Sequence, residues 1–259
     1  MKRIIVLSVI AFFPLTAWSS ELSGLEVVKR WDERDEGKDL TSKSTFKLIN
    51  SKGQERIRKT RRYWINMKEK GGFEEKSIIF FDRPSDVKGT SLLNWSYQDA
   101  GKDDDQWLYL PALRKIKRIA ASDKEKSFMG SDLTFDDMGD RKVESDEHKL
   151  LREEALDGRP CYVVEMTPGN KKYMYSRKEK WIDKETFVDY RTDFYDRKGR
   201  FLKRQRIDWK KIGNVWVVTK IYVKNEQTGH STSIEIEDIK LNTGLKEGWF
   251  TKRKMESGR

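Results

Sequence analysis

A mainly β fold, an antiparallel β-meander curled toward a barrel or half-barrel, is the fold class this sequence predicts, and three observations carry it. From residue 42 onward apolar and polar side chains alternate with a period of two, the pattern of a strand with one wet face. Short turns carrying glycine separate the segments, as at Asp196-Arg197-Lys198-Gly199, Ile212-Gly213-Asn214 and Gln227-Thr228-Gly229, and tight turns make neighbouring strands antiparallel. Aromatic residues make up 12% of a chain that is only 36% apolar and 37% charged, too many large rings for a disordered polypeptide. About ten or eleven strands joined in this way curl toward a barrel or half-barrel instead of lying flat. The 259 residues suit one large or two small domains. With no internal repeat and no Pro- or Ser-rich linker, one continuous domain is the economical choice.

At the N-terminus, Lys2 and Arg3 precede an apolar run over 4–15, and Ala17-Trp18-Ser19 follows with small residues at its outer positions. These are the three parts of a secretory signal, so residues 1–19 are read as a signal peptide and 20–259 as the exported chain. The run falls short of the ~20 residues a membrane helix needs. The single cysteine would have no intrachain partner in an oxidising compartment, and Cys161-Tyr162-Val163-Val164 reads as a buried thiol in a strand. Removing Lys2 and Arg3 takes the formal charge from +11 to +9. Such a balance suits anionic lipid head groups or an acidic partner as well as a plain solvated surface. No helix-turn-helix, RNA-recognition or zinc motif is present, and nucleic acid is not expected as a partner.

Along the exported chain, Leu22, Leu25, Val28 and Trp31 recur at helical spacing and predict one amphipathic helix over 22–36. Residues 45–49, the turn Asn50-Ser51-Lys52-Gly53 and residues 54–67 then predict a hairpin with a long, basic second arm. Further strands are expected at 76–82, 89–97, 106–110, 114–120 and 149–156, then at 161–167, 172–183, 186–195, 201–210, 215–225 and 231–241. Residues 121–149 break the alternation. They are rich in Asp and Gly around Ser127-Phe128-Met129-Gly130-Ser131-Asp132, and loops of that length are often functional.

Catalytic chemistry finds no foothold. Asp103-Asp104-Asp105, Asp136-Asp137 and Glu153-Glu154 lack the alternating ligands and glycine turn of a calcium loop and read as solvated surface. His148 and His230 form no metal pair and stand beside no nucleophile motif. Neither catalysis nor a cofactor or metal is expected. The distinctive feature is aromatic: Leu93, Trp95 and Tyr97 share one strand face, and Trp107 and Tyr109 share a face of the next. A curled sheet that turns such faces inward either fills the space or leaves an apolar cavity fit for a lipid chain.

Three blocks in order, Phe81-Asp82-Arg83-Pro84-Ser85-Asp86-Val87-Lys88-Gly89-Thr90, Trp107-Leu108-Tyr109-Leu110-Pro111-Ala112-Leu113-Arg114-Lys115-Ile116-Lys117-Arg118-Ile119 and Ser127-Phe128-Met129-Gly130-Ser131-Asp132, resemble the outer-membrane lipoprotein-sorting protein family. Trp181-Ile182-Asp183-Lys184-Glu185, Phe194-Tyr195-Asp196-Arg197-Lys198-Gly199 and Phe250-Thr251-Lys252-Arg253 extend the likeness over nearly the whole exported chain. The branch it resembles is LolA-like, distinct from the housekeeping LolA carrier. The resemblance implies a periplasmic, incomplete antiparallel β-barrel of about 10–11 strands with helices across it as a lid, a single half-barrel domain over 20–259.

Its function would be to hold lipoprotein or lipid acyl chains and pass them toward the outer membrane. An inner-membrane transporter of the resistance-nodulation-division (RND) class and an outer-membrane acceptor are the implied partners, and the carrier would be monomeric and non-catalytic. On that reading Trp95, Tyr97, Trp107, Tyr109, Phe128 and Met129 line or close the cavity. Arg58, Arg61, Arg62, Arg114, Lys115, Lys117 and Arg118 would meet head groups or a partner. A non-catalytic adaptor or sensor that regulates a membrane complex is the alternative, and a hydrolase acting on envelope lipid or glycan is a third reading.

Overall fold

A computed structural model describes residues 22–68 and 71–258; the signal peptide expected over 1–19 lies outside them. The first element, α1 (Gly24–Asp32), is opened by a capping box in which Ser23 and Glu26 satisfy each other's backbone amides. Its apolar side buries Val27 and Val28 against Val164, Met166 and Ile182. Gly24 is required there, because a Cβ would come within 2.5 Å of the Leu150 backbone nitrogen.

Thirteen strands follow: β1 (Asp39–Ile49), β2 (Glu55–Asn66), β3 (Phe73–Arg83), β4 (Ser91–Tyr97), β5 (Asp105–Leu110), β6 (Lys115–Arg118), β7 (Asp146–Leu156), β8 (Arg159–Pro168), β9 (Tyr175–Asp183), β10 (Asp189–Asp196), β11 (Phe201–Ile212), β12 (Val215–Asn225) and β13 (Ser231–Leu241), with a last helix α2 (Lys252–Ser257). They form one antiparallel sheet in the order β6-β5-β4-β3-β2-β1-β13-β12-β11-β10-β9-β8-β7. Two meanders are thus stitched together where β1 pairs with β13, Phe46 opposite Ile234. The edges are β6 and β7, and residues 119–145, which join them, must cross from one edge to the other.

That crossing shows how strongly the sheet curls. The Phe135 carbonyl accepts a hydrogen bond from Gln106 Nε2 of β5 at 2.8 Å, while Asp137 accepts one from the Tyr175 hydroxyl of β9 at 2.9 Å. β5 and β9 are nine steps apart in the sheet, about 43 Å if it lay flat at the usual strand spacing. Only a trough whose two sides approach each other lets residues so close in sequence touch both. The trough remains open, since β6 and β7 do not pair. A closed barrel is therefore not formed, and among the described residues the sheet has thirteen strands, above the ten or eleven expected in total because the two arms of the 45–67 hairpin join the same sheet as the eleven segments that follow.

The helical part of the cover is smaller than the resemblance implies: α1 packs beside Val143, and the middle of the trough is covered without an α-helix. Residues 119–145, hereafter the strap, form no α-helix but carry 3₁₀ turns at Ala121–Asp123, Asp136–Met138 and Val143–Ser145 and a β-bridge between Ser127 and Thr134. Apolar side chains from β1, β3, β4, β12 and β13 meet Phe128, Leu133 and Phe135 of the strap in one cluster on the inner face. The outer face of β2–β5 buries Ile78, Phe80, Leu93 and Trp107 beneath Phe250 and Met255 of the C-terminal segment. Among the described residues no helix is long and apolar enough to cross a membrane.

Candidate functional site: the trough and its strap

The strap is held in the trough by aromatic rings at its tip. Phe128 lies 6.3 Å from Phe46, 5.8 Å from Phe81 and 5.7 Å from Phe135, centroid to centroid, and has no exposed surface. A tight turn aims it: Ser131 N donates to the Phe128 carbonyl at 3.0 Å, and Met129 and Gly130 have φ of +51° and +79°. Two successive positive φ angles define a type I′ turn. Gly130 takes that geometry without strain, whereas Met129 adopts it against the preference of its Cβ.

Polar groups fasten the rest of the strap. Lys203 Nζ of β11 reaches Asp137 at 2.6 Å and the Asp132 carbonyl at 2.8 Å. Both charged side chains of this pair are buried. Asp137 also accepts from the Thr134 amide at 2.9 Å, and Tyr173 donates to Asp136. Asp132 accepts from the Thr232 hydroxyl at 2.6 Å and contacts His230 Nδ1 at 2.7 Å. Burial raises the Asp137 carboxyl, but Lys203 and Lys178 outweigh it and hold the group below the usual carboxylate range. Asp136-Asp137, expected on a solvated surface, is therefore part of the latch between strap and sheet.

Three cavities border the filled middle. A groove of about 670 Å³ opens between the strap and the rim of β9–β13, with Leu133, Met174 and Leu202 on its apolar wall and Lys198, Arg200 and His230 on its polar side. A chamber of about 220 Å³ shares Gly130 and His230 with it and is lined further by Leu48, Arg56 and Arg58. At the other end of β1 a third space of about 150 Å³ lies among Leu40, Trp64, Trp209, Trp216, Arg62 and Glu75. Burial, then the Asp140 charge, pushes the Glu75 carboxyl up to about 8. Among the described residues no group of three or more His, Cys, Asp or Glu is arranged to hold a metal ion.

This architecture has close counterparts among solved structures. The chain is 33% identical to an outer membrane lipoprotein-sorting protein domain from Vibrio parahaemolyticus, with a TM-score of 0.84 over 90% of this chain and 98% of that one. A DUF1329 family protein from Desulfovibrio piger ATCC 29098 is 34% identical, with a TM-score of 0.84 over 90% of this chain and 97% of the other. The chain belongs to the outer membrane lipoprotein-sorting protein family. A family model described as "-like: Uncharacterized protein" matches residues 74–257, from β3 to α2. A LolA superfamily protein from Nitrosomonas europaea shares the fold at a TM-score of 0.69 and 20% identity, over 90% of this chain and 100% of its own. No curated protein matches the chain.

In this lipoprotein-sorting family member the residues expected to share one cavity are divided between two faces. Trp95, Tyr97, Trp107 and Tyr109 do lie on one face, the outer one. Trp95 and Trp107 meet at 4.8 Å, the Trp95 indole donates to the Phe250 carbonyl at 2.9 Å, and Tyr97 stacks on Phe73 at 5.0 Å. Tyr109 packs into the same cluster. Phe128 and Met129 occupy the trough on the opposite side.

The expected cationic set divides by the same two-residue period. Arg58 and Arg62 face cavities of the trough, whereas Arg61 points outward, bound to Asp82 at 2.9 Å and to the Gly258 carbonyl at 3.2 Å. On the edge strand, Lys117 pairs with Asp123 at 3.0 Å and Arg118 pairs with Asp105. Arg114 caps the preceding 3₁₀ turn with φ +48°, and the exposed Lys115 follows. Cys161 has no exposed surface, and burial pushes its thiol up to about 11. Sequence reasoning missed Asp132, Asp137, Lys203 and Thr232, whose meeting depends on contacts 66 to 100 residues apart.

Proposed function

We propose that this lipoprotein-sorting family member is a non-catalytic carrier that shields the acyl chains of a lipoprotein or lipid from water as they cross the periplasm toward the outer membrane. The observation that carries the reading is the strap, which fills the trough with Phe128, Leu133 and Phe135 beside an open groove of about 670 Å³. An acyl chain lying along Leu133 and Leu202 can advance by taking over the contacts that Phe128 makes with Phe46 and Phe81. Each methylene buried contributes about 0.8 kcal/mol, set against the cost of lifting the strap's rings and polar latch. Filling by cargo or by strap keeps the apolar trough from water in both states, and release is driven by the strap's return.

An RND-type exporter as donor and an outer-membrane acceptor are the partners this reading takes from the family resemblance. The test is native mass spectrometry with lipid extraction on protein purified from the periplasm of its own host. One acyl-containing molecule per chain is expected. A protein that is empty and also refuses a fluorescent fatty-acyl probe would contradict the carrier and favour a regulatory adaptor.

A further inference from the structure

We propose that the chamber of about 220 Å³ is a head-group site for an anionic amphiphile, whose phosphate or carboxylate sits against Arg58 and Arg56 while its chain runs past Gly130 into the groove. This inference rests on the carrier reading and names its cargo more closely. Arg58 projects from the inner face of β2, opposite Phe46 of β1. Its Nη1 is shut off from solvent without a hydrogen-bond partner, a rare condition for a guanidinium nitrogen, and a turn of the side chain into the chamber would let a bound anion relieve it. Asp86 is its opposite charge, too far away to form an ion pair, and Arg56 adds a like charge.

The surroundings fit the same ligand. Acidic groups bordering the groove are already engaged: Asp132 by His230, Asp196 by Arg200 and Glu125 by Arg197. Cationic character is therefore left over at Arg56 and Arg58, whose forked donors match phosphate and carboxylate oxygens. Asp132 occupies His230 Nδ1 at 2.7 Å, leaving Nε2 as the imidazole's free ring nitrogen. Gly130 lines both the chamber and the groove. A Cβ at that position would sit 3.9 Å from Arg58 Nη2. Leu48 supplies an apolar wall for the first methylenes.

The test titrates the full exported chain with dodecyl phosphate, dodecanol and inorganic phosphate by calorimetry. Dodecyl phosphate is expected to bind at least about tenfold more tightly than dodecanol. Arg58→Met should bring that ratio near one, and Arg58→Lys should retain part of it, with melting temperatures no lower than the parent's. Equal affinity for the two alkyl ligands overturns the proposal while leaving the carrier standing. An undiminished ratio in folded Arg58→Met overturns it as well, as does inorganic phosphate binding as tightly as its dodecyl ester, which marks a free-anion site. Binding of neither alkyl ligand removes the carrier reading and the head-group site together.

Discussion

Phe128→Ala is expected to lower stability by about 3–5 kcal/mol, the range for deleting a fully buried aromatic ring. The side chain has no exposed surface and touches Phe46, Phe81 and Phe135, so four rings become three around a void. For a chain of this size the melting temperature should fall by on the order of 10 °C. The same change should increase affinity for a fluorescent fatty-acyl probe about tenfold, because the probe no longer displaces a ring from the trough. Melting curves and probe titrations on one preparation check both arms. A melting shift below about 2 °C would mean that the strap is only loosely seated, and unchanged probe binding would mean that cargo does not compete with it.

Asp137→Asn should be nearly as damaging at neutral pH, by about 3–5 kcal/mol, since it leaves Lys203 buried without its counter-ion. The two groups lie 2.6 Å apart with side chains 2% and 6% exposed. Adding Lys203→Met to Asp137→Asn should recover part of the loss, as expected when removal of one charge strands the other. The pH dependence has a definite sign. Asp137 has a folded-state pKa below its unfolded value, so its contribution is fully present above about pH 4 and is lost as pH falls through the folded pKa. The gap between parent and Asp137→Asn should therefore narrow in acid and be constant from about pH 5 to 7. Urea unfolding across that range measures it, and a gap that widens in acid would contradict the assignment.

Strand positions were legible in the sequence because short turns separate them and period-two alternation survives in strands such as β1, which buries Ser42, Ser44, Phe46 and Leu48, and the shared faces of Trp95 with Tyr97 and of Trp107 with Tyr109 follow from the same geometry. Which face becomes the trough was not legible. Ile78, Ile79, Phe80 and Phe81 are all buried, two toward the strap and two toward the C-terminal segment, and a strand covered on both faces carries no inside-outside signal. The pairing of β1 with β13 joins residues as distant in sequence as Leu40 and Leu241, so local pattern cannot reveal it. The strap's break in alternation was visible, as were its Phe128 and Met129. Its latch was hidden because Asp136 and Asp137 look like surface acids until Tyr173, Tyr175 and Lys203 are brought to them. Arg58 could be picked out as a basic strand residue, yet its missing partner is a fact of space alone.

The central claim, that acyl cargo occupies the trough in place of the strap, is tested most directly by photo-crosslinking with a diazirine-labelled fatty acid followed by peptide mapping. Adducts are predicted on the inner-face residues Phe46, Leu48, Ile79, Phe81, Val223 and Ile234, which pack against the strap. Adducts confined to Trp95, Trp107 and the segment around Phe250 and Met255 on the outer face would place the cargo on the wrong side of the sheet and contradict the account.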